Sequence, residues 1–580
     1  MTRDRLSFLL IPLAAFLVIF PLLLHGSSCG HDLAFHLLSW QEAAHQFALG
    51  TLHPRWAFTS AFGAGEPRFV FYPPFSWTLG GLLALLASAL SHATSLRPEQ
   101  AFAATPVVYT WLALAAAGLA MYRLARRFVP TTVATLAAAL YLANPYILFT
   151  AFERSAFAEL LATALLPLLL AALLPSPAES SAPLSVPALA LPLALLWLTN
   201  APAAVIGSYT VAFVIALRLL LAARFPATRA QIPALAVHST LGSLLAFALA
   251  AFYLVPALLQ RRFVQIAMAI LPGLRPDDNT LFHHTADRVH DAVLHTASNL
   301  SLLLLAVTTC AFLFFALLPA SRSAKPPASL SILLASLTVA IAILLTPASL
   351  PLWHHLPQLA FLQFPWRLLA LLAPISALAL ALAFRSIHIP RALFFVLCLV
   401  LPATLAMPSY HYFNQPCDPD DAPQARFTLF HSPTGDEPTD EYTPSTADND
   451  SLKANNPPFR LLPPGTDDDT PPPAAALPGP APLSLSLDLP SPALLVLNLR
   501  DFPTWRVTRN GQLDPDRSHR ADGLLTVPLP AGHQVLVLSE PTPLADLVAD
   551  GVSAASACLT VVLLWQRRQR HSQATASPLA

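Results

Sequence analysis

An aspartate and a histidine, Asp32 and His36, stand four positions apart just after the first apolar segment of the chain. Residues spaced i and i+4 share one face of a helix, so both side chains would point the same way. A carboxylate beside an imidazole can act as a general base or as an oriented acid–base pair, and the same two groups can bind a divalent metal. Asp32 can equally cap the following helix by accepting backbone N–H bonds. The spacing therefore marks Asp32 and His36 as catalytic candidates and as a possible metal pair, with capping as the alternative for Asp32.

Arg367, with Gln363 and Trp366 beside it, is the candidate partner for a phosphate group. A guanidinium ion can pair bidentately with phosphate oxygens. An arginine near a tryptophan at the end of an apolar segment can instead extend to a membrane surface. We expect these three residues to bind a substrate or to anchor the segment at the interface.

Arg55, Trp56 and Tyr72, in the first polar stretch, are further candidates for substrate binding. Aromatic rings can stack on the faces of sugars, and packing in a core or in a membrane belt is the alternative for both rings.

The composition decides which solvent surrounds these residues. Of the 580 residues, 55% are hydrophobic and only 11% are charged, whereas soluble domains carry about 25% charged residues. The solvent for most of the chain must be lipid, and membrane-spanning helices need runs of roughly 20 apolar residues. The formal net charge is zero, which argues against a nucleic-acid partner because phosphate-backbone binding needs a basic excess.

The apolar runs predict about twelve membrane-spanning helices, or thirteen if the run Phe75–Leu90 also crosses. The twelve lie near residues 7–25, 101–121, 131–149, 156–175, 185–199, 202–218, 237–257, 299–319, 329–347, 364–384, 391–407 and 547–565. If Phe75–Leu90 does not cross, all the basic clusters fall on one side, at residues 3–5, 123–127, 218–229, 322–325, 385–391 and 567–570. The positive-inside bias makes that side cytoplasmic, so both termini are predicted inside and Phe75–Leu90 is interpreted as a juxtamembrane or re-entrant helix.

Glu153, Arg154 and Glu159 fall where two predicted helices turn at the outer face. A charge at the centre of a bilayer costs about 2.5–3.5 kcal/mol, so charges near membrane depth are informative. These three residues are candidates for substrate binding, with an internal arginine–glutamate brace as the alternative.

The long loops and the extra domain are predicted on the outer side of the membrane, so the chemistry of the protein is expected there. The predicted outer parts are the first loop 26–100, a lid loop 258–298 and a domain 408–546, which precedes a last helix 547–566 and a cytoplasmic tail 567–580. Within the domain, a Pro-rich insert 456–482 is typical of an extended loop. Alternating runs at 483–489, 493–499, 504–508, 524–529 and 534–538 predict a small antiparallel β-sandwich. The fold class is thus an α-helical polytopic membrane protein with a C-terminal periplasmic β-sandwich-like domain and a final transmembrane helix.

The five cysteines form no metal-binding spacing. Cys29 and Cys417 would share the oxidising side, where a disulfide can form, although no spacing argues for this pairing. The other three lie in apolar runs and are typical of small core residues.

The order of several motifs resembles the GT-C superfamily of membrane glycosyltransferases. The motifs are Gly30–His36, Gly50, Pro54–Trp56, Phe62–Pro67, Phe71–Pro74, Glu153–Glu159, Leu362–Arg367, Glu441–Pro444 and Phe502–Val507 with Asn510-Gly511. Within the superfamily, the chain looks closest to the bacterial membrane proteins labelled "6-pyruvoyl-tetrahydropterin synthase-related". Its last motifs resemble the outer β-domain of YfhO-type membrane proteins.

This resemblance implies a GT-C-like transmembrane domain, here residues 1–407, in a bacterial inner membrane. It implies transfer of a sugar from a polyprenyl-phosphate donor to a glycan, lipid or protein acceptor at the periplasmic face, assisted by Asp32. Some members use a divalent metal and others do not. The pterin label implies no chemistry, because nothing in the sequence supplies the fold of the small zinc-dependent pterin enzyme. The alternatives are a lipid or polysaccharide transporter or flippase, and a non-catalytic envelope assembly protein on the same scaffold.

Overall fold

The computed structural model describes residues 3–175, 184–317, 328–385, 389–466, 470–514 and 516–576. Within these ranges the chain is mostly helical, with a small β-domain near its C-terminal end. The predicted basic cluster 322–325 and the last four residues of the predicted tail, 577–580, lie outside the described residues.

The α-helices of the described residues are numbered α1 to α22 in chain order, and a π-helical turn at Val396–Val400 joins α19 to α20. Their bounds are Arg3–His25, Leu33–Ala48, Arg68–Phe71, Pro74–Ala93, Pro98–Ala103, Thr105–Ala125, Thr131–Leu142, Pro145–Phe152, Phe157–Ala162, Leu165–Leu173, Val186–Thr199, Ala201–Arg224, Ile232–Leu249, Ala251–Gln260, Arg288–Leu317, Ala328–Leu344, Leu350–His355, Leu369–Ala383, Arg391–Phe395, Leu401–Phe413, Pro423–Phe430 and Leu544–Ala576.

The chain is a multi-pass membrane protein. Among the described residues, nine helical segments are long and apolar enough to cross a bilayer, and two bent pairs raise this number to eleven. The pair α7 and α8 bends by 41°, where Pro145 cannot continue the helical hydrogen bonds and Asn144 caps α8 by accepting from Tyr146 N at 3.0 Å. The predicted crossings near 156–175 and 185–199 form the shorter apolar helices Phe157–Leu173 and Val186–Thr199.

The run Phe75–Leu90 lies within α4, an unbroken helix of 20 residues. At 1.5 Å per residue this helix is about 30 Å long, which matches the hydrocarbon thickness of a bilayer. Among the described residues α4 is one of the nine segments long and apolar enough to cross a bilayer, so a thirteenth crossing stays open beside the interpretation as a juxtamembrane or re-entrant helix. α4 packs closely on α2 because Gly80 leaves room for an indole: a Cβ at Gly80 would come within 2.2 Å of the Trp40 ring.

The β-domain contains two antiparallel sheets that face each other across a shared apolar core. Its strands β1 to β7 are Phe459–Leu462, Ser484–Leu489, Ala493–Arg500, Arg506–Arg509, Gln512–Leu513, Leu524–Leu529 and Gly532–Ser539. The strand orders are β1-β3-β6 and β2-β7-β4-β5. In register, Leu495 of β3 pairs with Val527 of β6, and both side chains are fully buried.

Two predicted boundaries are wrong, and one predicted loop contains a strand. The lid loop 258–298 is shorter than expected, because α14 extends to Gln260 and α15 begins at Arg288. The boundary between residues 407 and 408 falls inside α20, which continues through Pro408 to Phe413. The Pro-rich insert contains β1, which gains main-chain partners along β3. For β1, pairing with a strand that is distant in sequence extends regular structure into a Pro-rich segment.

The first polar stretch packs directly on the β-domain. The Trp56 side chain is 1% exposed and its ring lies 5.5 Å from the Trp505 ring and 5.8 Å from the Phe502 ring. Nearby, Arg500 N donates to Ala64 O at 2.9 Å. The β-domain therefore helps to hold the stretch that contains Asp32.

Candidate active site

A cavity of about 970 Å³ lies where the first polar stretch, the turn before α9 and the segment before α18 meet. Seven of the predicted site residues line it: Asp32, His36, Tyr72, Arg154, Glu159, Gln363 and Arg367. The cavity thus joins residues from parts of the sequence more than 300 positions apart.

Asp32 occupies the N-cap position of α2 without capping it. Its side chain makes no hydrogen bond to the helix N-terminus, so the capping alternative does not describe this carboxylate. Oδ2 lies 3.5 Å from Arg154 Nη2, and the side chain is 40% exposed, far more than the 4% of its partner. A half-exposed carboxylate on a cavity wall can reach a ligand.

Arg154 and Glu159 form a buried ion pair behind Asp32. Arg154 Nη1 donates to Glu159 Oε2 at 2.5 Å, and both side chains are 4% exposed. Tyr146 donates its hydroxyl to the other oxygen of Glu159, also at 2.5 Å. The guanidinium of Arg154 further lies over the Trp366 ring, 5.0 Å from its centroid. Glu159 is therefore satisfied within the protein, which leaves Asp32 as the more accessible carboxylate.

Arg367 reaches the same network from the start of α18. Its Nε lies 3.6 Å from Glu159 Oε2, and its Nη1 donates to Leu362 O and to Gln363 Oε1, each at 3.0 Å. Gln363 has a φ of 61°, and a positive φ of this kind costs a non-glycine residue energy and is concentrated at functional sites. The two guanidinium groups of Arg154 and Arg367 are balanced by the carboxylates of Asp32 and Glu159, so these four side chains carry no net formal charge.

His36 is buried on the cavity wall among aromatic rings. The side chain is 2% exposed, and the rings of Phe157, Phe35 and Tyr72 lie 5.4, 5.8 and 5.9 Å away. Burial lowers the pKa of His36 from its usual 6.5 to about 4. Among the described residues its Nδ1 has no hydrogen-bond partner. His36 is thus a neutral imidazole at physiological pH, with an unsatisfied nitrogen in a cavity-lining side chain.

A close backbone contact fixes Asp32 against Arg154. Asp32 N donates to Arg154 O at 3.0 Å, and Gly30 N donates to Ser155 Oγ at 3.3 Å. A Cβ at Gly30 would come within 2.5 Å of the Arg154 backbone, so only glycine permits this approach. A disulfide joins the adjacent Cys29 to Cys417, whose Cα atoms are 4.9 Å apart.

Four predicted site residues lie outside the cavity lining. Arg55 forms ion pairs with Asp546 at 2.5 Å and with Glu540 at 3.5 Å, and so connects the first polar stretch to the N-terminal end of α22 and the segment before it. Trp56 belongs to the core of the β-domain. Glu153 accepts from Gln415 Nε2 at 2.7 Å, and Trp366, 3% exposed, stacks on Phe364 with centroids 4.9 Å apart. Their contacts hold the walls of the cavity in place.

Other lining residues were not among the sequence candidates: His31, Arg261, Arg262, Glu441 and Tyr442. Burial raises the pKa of Glu441 above its usual range. The motif Glu441–Pro444 and the arginine pair are visible in the sequence, but contacts distant in sequence bring them together, among them the bridge between Val264 and Pro444 and the hydrogen bond from Gln265 Nε2 to Pro444 O. Pairing over 180 positions leaves no local signal.

One side of the cavity is apolar and leads toward a second groove. Trp197, Val205, Phe247, Leu254 and Leu258 line this side. Phe247 also lines a groove of about 320 Å³ between α12 and α13, whose other lining residues include Val211, Ile215 and Leu244. The site therefore combines a charged end with an apolar end.

The described residues place no third His, Cys, Asp or Glu ligand beside the possible metal pair Asp32 and His36. Among the described residues, the group of three or more His, Cys, Asp or Glu side chains close enough to share an ion does not include Asp32 or His36. One carboxylate and one imidazole leave most of a coordination shell to water or substrate.

No protein-family profile matches this chain, and no curated protein is significantly similar to it. Among solved structures, the arabinofuranosyltransferase AftD from Mycobacteria, determined by single-particle cryo-electron microscopy, has 16% sequence identity to this chain. The match has a TM-score of 0.41 and covers 71% of this chain. This chain spans 27% of the length of that protein.

Proposed function

We propose that this protein is an integral membrane glycosyltransferase that uses a polyprenyl-phosphate-linked sugar, with Asp32 as its general base. The observation that carries the proposal is the half-exposed Asp32 carboxylate on a cavity with an arginine-rich end and an apolar end. The order of sequence motifs that resembles the GT-C superfamily supports the same reaction class. The proposed site faces the periplasm of a bacterial inner membrane.

In the proposed reaction, an acceptor hydroxyl attacks the anomeric carbon of the donor sugar. A new carbon–oxygen bond forms there, the bond to the phosphate oxygen breaks, and polyprenyl phosphate leaves with the electron pair. Asp32 accepts the hydroxyl proton, since a positioned base of this kind contributes about 10²–10⁴ to a rate. Arg154 Nη2 lies 3.5 Å from Asp32 Oδ2 and orients this carboxylate on the cavity wall.

Arg261 and Arg262 are the proposed phosphate ligands. Arg367 was the expected partner, but Glu159 and Gln363 already engage its guanidinium. Arg261 and Arg262 are exposed and line the cavity, and neither forms an ion pair with a described residue. Two such guanidinium groups can compensate the negative charge that develops on the leaving phosphate.

The apolar end of the cavity is the proposed place for the first isoprene units of the donor. A polyprenyl chain needs a path from the headgroup into lipid, and the groove between α12 and α13 supplies apolar side chains such as Val211 and Leu244. Phe247 lies at the junction of the cavity and this groove. A headgroup at Arg261 would thus leave its tail directed toward the membrane-spanning helices.

The test is transfer from undecaprenyl phosphates that carry labelled hexoses or pentoses, assayed with the purified chain in membranes. The wild-type chain should turn over at least one donor, and Asp32→Asn should reduce the rate about 10²-fold or more. Asp420→Asn is the matched control, because Asp420 is exposed and lies outside the cavity lining. Retained transfer by Asp32→Asn would exclude Asp32 as the base.

The same assay separates the alternatives. Donor binding without turnover would favour a non-catalytic assembly protein. Movement of an intact lipid-linked sugar across a vesicle membrane, without transfer, would favour a flippase.

A further inference from the structure

Two histidines and an aspartate meet at the outer end of α15, away from the cavity lining. They are His284, Asp291 and His295, and their ligand atoms all lie within 4.8 Å of one another. α15 has 30 residues and is about 45 Å long, about 15 Å more than the hydrocarbon core needs. The first turns of α15, which contain Asp291 and His295, can therefore lie outside the hydrocarbon core.

Two of the three distances between the ligand atoms match those of a tetrahedral metal site. His284 Nδ1 lies 3.3 Å from His295 Nε2 and 3.4 Å from Asp291 Oδ1. With zinc–nitrogen bonds of 2.0–2.1 Å, two ligands of a tetrahedral zinc are about 3.3–3.4 Å apart. The second carboxylate oxygen of Asp291 is 3.9 Å from His295 Nε2, so a small rotation of the carboxylate completes the triangle.

The surroundings hold this triangle in place. Thr285 N donates to Asp291 Oδ1 at 2.9 Å, a contact of the kind that orients a ligating carboxylate. Phe282 has a φ of 56°, and its N donates to Ser298 Oγ at 3.0 Å, which turns the chain back over α15 and brings His284 to the helix. The His284 side chain is 76% exposed, so water or another ligand can reach the fourth position.

We propose that His284, Asp291 and His295 bind a transition-metal dication such as Zn²⁺. Two imidazoles and one carboxylate suit zinc, whereas Mg²⁺ and Ca²⁺ prefer oxygen ligands. The metal would fasten the segment between α14 and α15, which contains Arg261 and Arg262, to the membrane-spanning α15. Metal binding by these three residues does not require the transfer reaction proposed for the cavity.

The test is calorimetric titration with Zn²⁺ of the full chain in detergent, purified through a tag without histidine and stripped with a chelator. One Zn²⁺ should bind per chain, Mg²⁺ should not bind at the same site, and His284→Ala and His295→Ala should each weaken zinc binding at least tenfold. His283→Ala is the matched control, because this neighbouring imidazole lies outside the triangle. Equal melting temperatures of the metal-free proteins would show that the variants fold.

Cobalt provides a second measurement on the unaltered protein. Co²⁺ bound at this site should give the intense visible absorption of tetrahedral coordination, and added Zn²⁺ should remove it. Weak absorption like that of hydrated Co²⁺ would overturn the proposal. Zinc binding that survives both histidine substitutions would overturn it as well.

Discussion

Glu159 accepts a hydrogen bond from Arg154 at 2.5 Å, deep in the wall of the cavity, with each side chain only 4% exposed. The same carboxylate lies 3.6 Å from Arg367 Nε. Its negative charge therefore partly compensates the positive charges of two guanidinium groups. Removing one partner from a buried pair is costly because the remaining charge stays buried without compensation. Glu159 is therefore the residue on which the geometry of the charged end depends.

Glu159→Ala should lower the free energy of unfolding by about 3–5 kcal/mol, since it leaves Arg154 and Arg367 without their shared partner. Thermal or chemical unfolding in detergent measures the change. Glu99→Ala is the control, because Glu99 pairs with an exposed Arg97 at 3.3 Å, and such pairs contribute about 0–1 kcal/mol. Equal losses in the two variants would contradict the assignment of Glu159 as a buried charge partner.

Replacing Arg261 and Arg262 by Gln should weaken donor binding more than it slows chemistry. Both guanidinium groups line the cavity and are exposed, so they contribute attraction that depends on ionic strength. The double variant should raise KM for the lipid-linked donor about tenfold or more and reduce the salt dependence of KM. Arg288→Gln is the matched control, an exposed arginine at the start of α15. An unchanged KM in the double variant would return Arg367 to the role of phosphate ligand.

The sequence predicted the parts of the fold that depend on local pattern. The strands Ser484–Leu489 and Leu524–Leu529 lie within or at the predicted runs, because apolar residues and turn signals mark them locally. The same holds for α2 and for the position of Asp32 at its start. Amphipathic periodicity and turn chemistry act over a few residues, so they can be recognised in one chain.

The contacts between residues distant in sequence could not be predicted from local sequence patterns. Trp56 and Arg55 look like ligand-binding residues in the sequence, yet their partners are Trp505 and Asp546, more than 400 positions away. The sequence showed that Arg154 and Glu159 could brace a turn, and it gave no sign that Arg367 would join them. Which charges remain available to a substrate depends on these distant partners, and folding alone determines them.

The disulfide between Cys29 and Cys417 should protect two of the five cysteines from alkylation. Denatured wild-type protein treated with a maleimide polymer should show three modified cysteines without reductant and five after reduction, because Cys310, Cys398 and Cys558 are free. Cys29→Ser should leave one additional reactive thiol at Cys417. Five modified cysteines before reduction would contradict the pairing.

Loss of this disulfide should also destabilise the protein, by about 2–5 kcal/mol, because a cross-link restricts the unfolded chain. The segment beside Cys29 carries Asp32, so Cys417→Ser should lower transfer activity together with the melting temperature. Cys310→Ser is the control, since this exposed cysteine is free. A melting temperature unaffected by both reductant and Cys417→Ser would show that the cavity wall does not depend on the cross-link.

Stability should fall in mildly acid solution because of His36. Its pKa is lowered to about 4 in the folded protein, chiefly by burial, and an unfolded histidine titrates near 6.5. Between these values the unfolded chain binds a proton that the folded protein excludes, so lowering the pH from about 6.5 to about 4 favours unfolding. The resulting loss in the free energy of unfolding approaches about 3 kcal/mol near pH 4 and is absent above about pH 6.5.

Unfolding of the wild type and of His36→Gln, followed from pH 7.5 to pH 4, isolates the loss that is due to His36, because carboxylates titrate in both proteins. The variant should lose less stability on acidification than the wild type, whereas His92→Gln, which alters an exposed histidine, should follow the wild type. If the free energy of unfolding changed with pH in the same way in the wild type and in His36→Gln, His36 would accept a proton as readily as a solvated imidazole. That result would rule out a neutral His36 on the cavity wall.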